Sequence, residues 1–226
     1  MQLSAEIDLH VATALALIDG VLLDLQSVML ETEADLLRYA YQVAGTVGLM
    51  MCNVLDVTDS KALPFAIDLG MAMQLTNIAR DIREDAENGR RYLPATWVES
   101  ASPNDIIRAD HDLKPLLVNS ATRLIELAEC YYSSAYLGFG YLPLRSRFAI
   151  LVAARIYRQI GLKLRRNGFQ VWNGRTVVSD TEKLIVASNA AVQFITILSL
   201  HRRGQTHDSE LHTTLTGFFG VDMRGR

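Results

Sequence analysis

The stretch that decides the fold is "QLTNIARDIREDAENGRRYLP", Gln74–Pro94, because it combines helical periodicity with a polar stripe. Each helical residue turns the chain by about 100°, so residues four apart share a face. Asn77, Asp81 and Asp85 follow at this spacing, and Gln74 precedes Asn77 by three residues. Two carboxylates so placed repel and destabilise an isolated helix by about 0.2–0.5 kcal/mol. A bound cation would reverse that repulsion.

The candidate ligands on this face carry only oxygen donors, which favours Mg²⁺ or Mn²⁺ over zinc. Mg²⁺ is commonly held by one or two carboxylates together with waters and substrate phosphate oxygens. Arginines pair well with phosphate, and Arg80, Arg90 and Arg91, on or just after this helix, could complete a diphosphate site. An ordinary solvated helix face is the alternative. Gln74 and Asn77 argue against it, because they extend the polar stripe into the apolar half of the helix.

Composition limits the classes of protein that this chain can belong to. Its 226 residues, half of them hydrophobic, suit one domain with a substantial core. Asp19, Asp24 and Arg155 interrupt the longest apolar runs and exclude a membrane span, while contact with a membrane surface stays open. A net charge of −3 and the lack of a basic, aromatic-rich stripe argue against nucleic acid. Isolated Cys52 and Cys130 and an N-terminus without a secretory pattern predict a cytoplasmic location, with peripheral attachment to the inner membrane face open.

Helical periodicity and a low proline count predict an all-α protein. Capping-box spacings begin helices after Thr32 and Ser179, and Gly89 is typical of a helix end. The predicted domain is 1–201, followed by a polar tail at 202–226. The predicted helices cover about 4–26, 32–55, 60–88, 113–137, 144–167 and 179–200, with a short helix beginning at 102.

Several long segments in the same order resemble the squalene/phytoene synthase family. Residues 73–94 resemble its second aspartate-rich motif, and "LRYAYQVAGTVGLMM" at 37–51 resembles its Tyr-x-Val-Ala-Gly-x-Val-Gly segment. Residues 17–25, "LIDGVLLDL", and 155–184 are similar to the family as well. The endings "GRRYLP" and "RTVVSDTEKL" are most similar to bacterial phytoene synthases. The resemblance extends from about 17 to about 191.

This resemblance implies a single-domain helical bundle of the prenyl-synthase type around a central cavity. It also implies head-to-head joining of two prenyl diphosphates with Mg²⁺ or Mn²⁺, in this case geranylgeranyl diphosphate to phytoene. A metal cluster ionises the first diphosphate, the second molecule attacks the cation, and the cyclopropyl product ionises again and rearranges. A C30 enzyme of the dehydrosqualene or squalene type is the alternative. The sequence shows no dinucleotide-binding glycine motif, which argues against the reductive squalene reaction.

The resemblance also assigns roles to residues. It implies that Asp81 and Asp85 bind the metal with Asn77 beside them, that Gln74 faces the reacting centre, and that Tyr41 lines the cavity. Core packing is the alternative for Tyr41. The residues implied to approach diphosphate are Arg80, Arg90 and Tyr92. Tyr157 and Arg175 are further candidates, for which a structural role is the alternative. The glycines implied to allow close helix approach or to leave room for prenyl chains are Gly45 and Gly48.

The family's first Asp-x-x-x-Asp motif has no counterpart in this sequence. Asp19 and Asp24 are five residues apart and would point about 140° away from each other on a helix. They match a family segment that follows the first motif. We therefore expect an N-terminally incomplete chain that does not turn over substrate alone. The alternatives are a short protein that binds prenyl chains without catalysis, a subunit completed by a partner, and an assembly protein with the same fold.

Overall fold

The computed structural model describes residues 11–197 and 206–221. Within these ranges the only β-type pairing is an isolated bridge between Met29 and Arg91, so the all-α prediction is confirmed. The helices are α1 (Val11–Leu23), α2 (Glu33–Ala40), α3 (Thr46–Val54), α4 (Leu63–Glu87), α5 (Pro103–Arg108), α6 (Leu113–Leu137), α7 (Leu144–Arg166) and α8 (Asp180–Ile197). The predicted helix start near residue 4 and the predicted helix end near residue 200 lie outside the described residues.

Helices α2 and α3 form one continuous rod, as predicted for residues 32–55. The hydroxyl of Thr32 accepts a hydrogen bond from the Asp35 amide, and the Asp35 carboxylate accepts one from the Thr32 amide, which confirms the capping box. A π-helical turn at Tyr41–Gly45 joins the two helices. Such turns widen the backbone and frequently lie at functional sites.

Helix α4 is the central element, and its apolar face lies at the middle of the core. Ile67, Met71, Leu75, Ile78 and Ile82 recur every three or four residues and are at most 4% exposed. They belong to one core cluster with apolar residues of α6, the neighbour against which α4 packs most extensively. Burial of each large side chain stabilises the fold by about 1.5–3 kcal/mol. The polar stripe consequently lies on another side of α4.

The C-terminal segment 206–221, which the sequence placed in a polar tail, packs against the helical domain. It forms a 3₁₀ helix at Ser209–Leu215, and Leu215 is fully buried. The Tyr131 hydroxyl of α6 donates to the carbonyl oxygen of Leu211 at 3.0 Å. The average polarity of the segment misled the prediction, because a few spaced apolar residues suffice to attach it to the core.

Helix α1 lies at the edge of the fold and exposes an apolar face. Leu15, Ile18 and Leu22 are each about half exposed, at 55%, 51% and 49%. In the described part of the chain, no helix combines the length and the apolar character that crossing a membrane requires.

Candidate active site

An apolar cavity of about 350 Å³ lies beside α4. Its walls come from the π-turn, α3, α4, the connection between α6 and α7, and α7 itself. Three residues of its lining bring polar side-chain atoms other than sulfur: Gln74, Asn77 and Tyr157. The volume falls in the range typical of small-molecule sites. The structure therefore places these three sequence-predicted residues together at the cavity wall.

Asn77 presents an unsatisfied polar atom at this wall. Its amide oxygen is buried and makes no hydrogen bond to any described residue. Its amide nitrogen lies 3.5 Å from the side-chain oxygen of Gln74, at the limit of a hydrogen bond. A buried acceptor without a partner costs about 1–3 kcal/mol. Asn77 is therefore suited to accept a ligand that the protein alone does not provide.

Asp81 lies one helical turn beyond Asn77 and is held by two guanidinium groups. Arg80 donates Nε to Oδ1 at 2.8 Å and Nη2 to Oδ2 at 2.5 Å, and this hydrogen bonding raises the pKa of Arg80. Arg175 places Nε 3.1 Å from Oδ1 of Asp81 and Nη1 3.6 Å from Glu84. Arg80 and Arg175 thus lie at the carboxylate face, paired with Asp81.

Asp85 occupies the next turn of α4 and lies in an environment that disfavours its charge. Burial raises the pKa of the Asp85 carboxyl to about 7, the charge of Asp81 adds to the shift, and Arg90 opposes it. The two carboxylates therefore differ, because Asp81 has guanidinium partners and Asp85 lacks comparable compensation. A cation between them would supply the missing positive charge.

Asp24 is a further member of this site that the sequence reasoning passed over. Its carboxylate accepts hydrogen bonds from Tyr39 at 2.9 Å and from Tyr92 at 2.7 Å, and its backbone oxygen accepts one from Arg90 at 2.8 Å. The electrostatic influence of Asp24 also raises the pKa of Asp85. The spacing test assumed one helix through both early aspartates, whereas α1 ends at Leu23.

Tyr92 and Arg90 lie next to the carboxylate helix but are tied to Asp24. Tyr92 is 6% exposed, and burial raises the pKa of its hydroxyl to about 12. Its ring stacks on Tyr39 with centroids 4.9 Å apart. Their implied contact with diphosphate therefore stays a prediction.

Two expectations differ from the structure. Tyr41 is fully buried outside the cavity lining; its hydroxyl donates to the carbonyl oxygen of Phe219 at 2.8 Å, and its ring contacts Phe218. Arg91 is 4% exposed and donates to the carbonyl oxygens of Leu30 at 3.1 Å and Ala101 at 3.0 Å. It therefore links two loop segments and has a structural role. Helical spacing could not predict these contacts, because the partners of Tyr41 and Arg91 come from other segments of the chain.

The raised pKa of Asp85 predicts a pH dependence of stability. The pKa of the carboxyl is about 7 in the folded protein and has an ordinary value of 3.8 in the unfolded chain, so its contribution to stability is fully present below pH 4 and is lost as pH rises through 7. Between pH 6 and 8, the free energy of unfolding of the metal-free protein should fall by about 1 kcal/mol more than that of the Asp85→Asn variant. Urea unfolding of both proteins with a chelator measures this difference. Equal losses would contradict the shift.

Comparison with known proteins identifies the family. The family model for squalene/phytoene synthases matches residues 1–182. A 15-cis-phytoene synthase of Enterobacter agglomerans is 46% identical over 177 residues, which cover 78% of this chain and 60% of that protein. One from Pantoea ananas is 43% identical over 189 residues, covering 84% of this chain and 61% of that protein. The chain thus spans about 60% of the length of these relatives.

Solved structures agree with the fold. A dehydrosqualene synthase in complex with a ligand superimposes with a TM-score of 0.71 at 28% identity, over 84% of this chain and 67% of that one. A squalene synthase from Alicyclobacillus acidocaldarius shares the fold with a TM-score of 0.63 at 22% identity, over 74% of this chain and 63% of that one. The match to the family model, together with the helical architecture and the site on α4, shows that the chain belongs to the squalene/phytoene synthase family.

Proposed function

We propose that this chain provides the diphosphate-binding side of an active site that joins two molecules of geranylgeranyl diphosphate head to head into phytoene. The observation that carries the proposal is the junction at Asn77. An apolar cavity ends there at a buried amide oxygen that has no hydrogen-bond partner within residues 11–197 and 206–221, and the next turns of α4 carry Asp81 and Asp85. An apolar chain with a charged end requires both environments side by side. The similarity to two bacterial 15-cis-phytoene synthases supports the C40 product.

The residues of this junction fit a hard divalent cation. Asn77, Asp81 and Asp85 offer oxygen donors alone, and the free amide oxygen and the raised pKa of Asp85 both mark sites where positive charge is lacking. These residues would hold Mg²⁺ or Mn²⁺, which would supply charge stabilisation to a departing diphosphate. Because ligands bind metal in the deprotonated form, affinity should weaken as pH falls below 7.

The protein's own groups perform the remaining tasks. Arg80 and Arg175 hold two guanidinium groups at the carboxylate face, where bidentate donors match phosphate oxygens. Tyr157 lies at the cavity wall and influences Arg80 electrostatically. The apolar lining excludes water from a prenyl chain, which protects a carbocation from capture.

A C30 product from two farnesyl diphosphates is the second candidate. The structural similarity to a dehydrosqualene synthase favours it, because that enzyme's fold covers most of this chain at 28% identity. A non-catalytic prenyl-binding or assembly protein is a third candidate. Such a function would not require two repelling carboxylates next to the buried amide oxygen of Asn77.

A chimera tests the proposal. The sequence contains a single Asp-x-x-x-Asp pair, Asp81 and Asp85, whereas the family's chemistry uses two. We therefore complete this chain with the parts of the Enterobacter agglomerans enzyme that lie outside its matched region, which is 60% of that protein. With Mg²⁺ and without NADPH, the chimera should convert the C20 diphosphate into phytoene, measured by chromatography and mass spectrometry.

Two results would count against this proposal. Exclusive C30 product from farnesyl diphosphate would favour the second candidate. A folded chimera that binds prenyl diphosphate but forms neither product, beside an active parent enzyme, would favour the non-catalytic protein.

A further inference from the structure

Three metal-binding side chains converge at a second place, where the C-terminal segment 206–221 crosses α4. Asp68 projects from α4, and His207 and His212 come from the segment. The Nε2 atom of His212 lies 2.6 Å from Oδ1 of Asp68, and that of His207 lies 2.8 Å from Oδ2. One ligand atom from each of the three residues lies within 4.8 Å of the others. They occur 139 and 144 residues apart in sequence, so only the fold assembles them.

The burial of this cluster makes its charge balance critical. The Asp68 side chain is fully buried, His212 is 2% exposed and His207 is 11% exposed. A buried carboxylate costs several kcal/mol unless positive charge or hydrogen bonds compensate it. The other ring nitrogen of His212 is buried and has no partner among the described residues, so a charged His212 would bury an unpaired donor. Two neutral imidazoles would compensate the buried carboxylate charge through their two hydrogen bonds alone, without any positive charge nearby.

A divalent cation relieves both problems, and the donor atoms indicate its class. Imidazole nitrogen suits zinc, nickel, cobalt and copper, whereas the all-oxygen face on α4 suits magnesium. The two histidines are separated by four residues, within the His-x₃₋₅-His spacing common in zinc sites. Metal–ligand bonds of about 2.0–2.2 Å require only a small outward movement of atoms that already face one another.

We propose that Asp68, His207 and His212 form a binding site for a zinc-type divalent metal that fastens segment 206–221 to α4. The attached segment carries Phe218 and Phe219, which cover Tyr41 at the π-turn. The metal would therefore hold in place the segment that packs on the π-turn, whose residues Val43 and Ala44 line the cavity.

The 226-residue chain, stripped with a chelator and kept in excess Mg²⁺, provides the test. On addition of zinc, native mass spectrometry and calorimetry should give one tightly bound equivalent per chain. Cobalt in its place should give the visible absorption of a site with nitrogen ligands. Metal should also slow proteolysis within 206–221. Asp68→Asn and His207→Gln should each weaken zinc binding at least about tenfold.

His111→Ala is the matched control, because His111 is fully exposed and lies outside the cluster. It should bind zinc as the unmodified chain does. The two near-isosteric ligand variants avoid creating a cavity, and circular dichroism verifies their fold. Binding that survives in both ligand variants, or no zinc retained by the folded unmodified chain, would overturn the proposal and leave a hydrogen-bonded triad.

Discussion

Asp81→Asn should weaken Mg²⁺-dependent binding of a prenyl thiodiphosphate to this chain by at least about 100-fold and should remove turnover in the chimera. Asp81 lies at the centre of the charged face, within contact distance of Arg80 and Arg175. An asparagine keeps the shape but removes the charge that recruits a cation. Calorimetry with and without Mg²⁺ measures the loss. A variant that binds as well as the unmodified chain would place the metal elsewhere.

The two aspartates should differ in their effect on stability. Spacing alone suggested that removing either one relieves repulsion. The structure separates them, because Asp81 compensates Arg80, a guanidinium only 15% exposed, whereas Asp85 lacks a comparable partner. Asp81→Asn should lower the free energy of unfolding by about 1–3 kcal/mol, and Asp85→Asn should raise it above pH 7.

Glu87→Gln provides the matched control for both variants. Glu87 lies on the same helix, is 51% exposed and pairs with Arg83 at the surface. Its change should alter unfolding by less than about 0.5 kcal/mol and leave prenyl binding unaffected. Equal destabilisation by all three variants in urea would show a general charge effect along α4 and contradict specific roles.

Gly48→Ala and Gly70→Ala should each destabilise the fold by about 3 kcal/mol or more. A methyl group at Gly48 would lie 2.1 Å from the carbonyl oxygen of Ala66, and one at Gly70 would lie 2.1 Å from that of Ala44. Backbone atoms cannot rotate away as side chains can, so the rod containing α3 must move from α4. Both glycines also line the cavity, so the cavity should deform.

Gly89→Ala distinguishes this packing effect from backbone strain. Gly89 ends the carboxylate helix with a φ of +74°, and an added methyl group would meet nothing within 4 Å. Its alanine variant should cost about 1–2 kcal/mol through left-handed strain alone. Urea denaturation ranks the three variants. A cost at Gly48 or Gly70 no larger than at Gly89 would refute the close backbone contact.

The helices were predictable because their signals are local. Capping boxes at Thr32 and Ser179 lie where the sequence placed them, with hydrogen bonds between residues three apart. The apolar period of α4 likewise fixed which of its faces is buried. The same period brought Gln74 and Asn77 to one wall of the cavity.

Contacts between distant segments were not predictable in this way. The burial of Tyr41 depends on Phe218 and Phe219, more than 170 residues away, and a helical pattern around Tyr41 contains no information about them. Asp24 likewise reaches Tyr92 only because the chain turns after α1. For the same reason, the sequence did not reveal that Asp68 contacts His207 and His212.

The sequence by itself determined the helical class, the family and the oxygen-rich face of α4, since each follows from residue types at short, regular spacing. Only the tertiary structure decided which carboxylate is compensated, which tyrosine lines the cavity and where the C-terminal segment lies. Charge compensation and burial depend on atoms brought together from distant parts of the chain. Spacing along one helix fixes the direction of a side chain, and the fold alone fixes what that side chain meets.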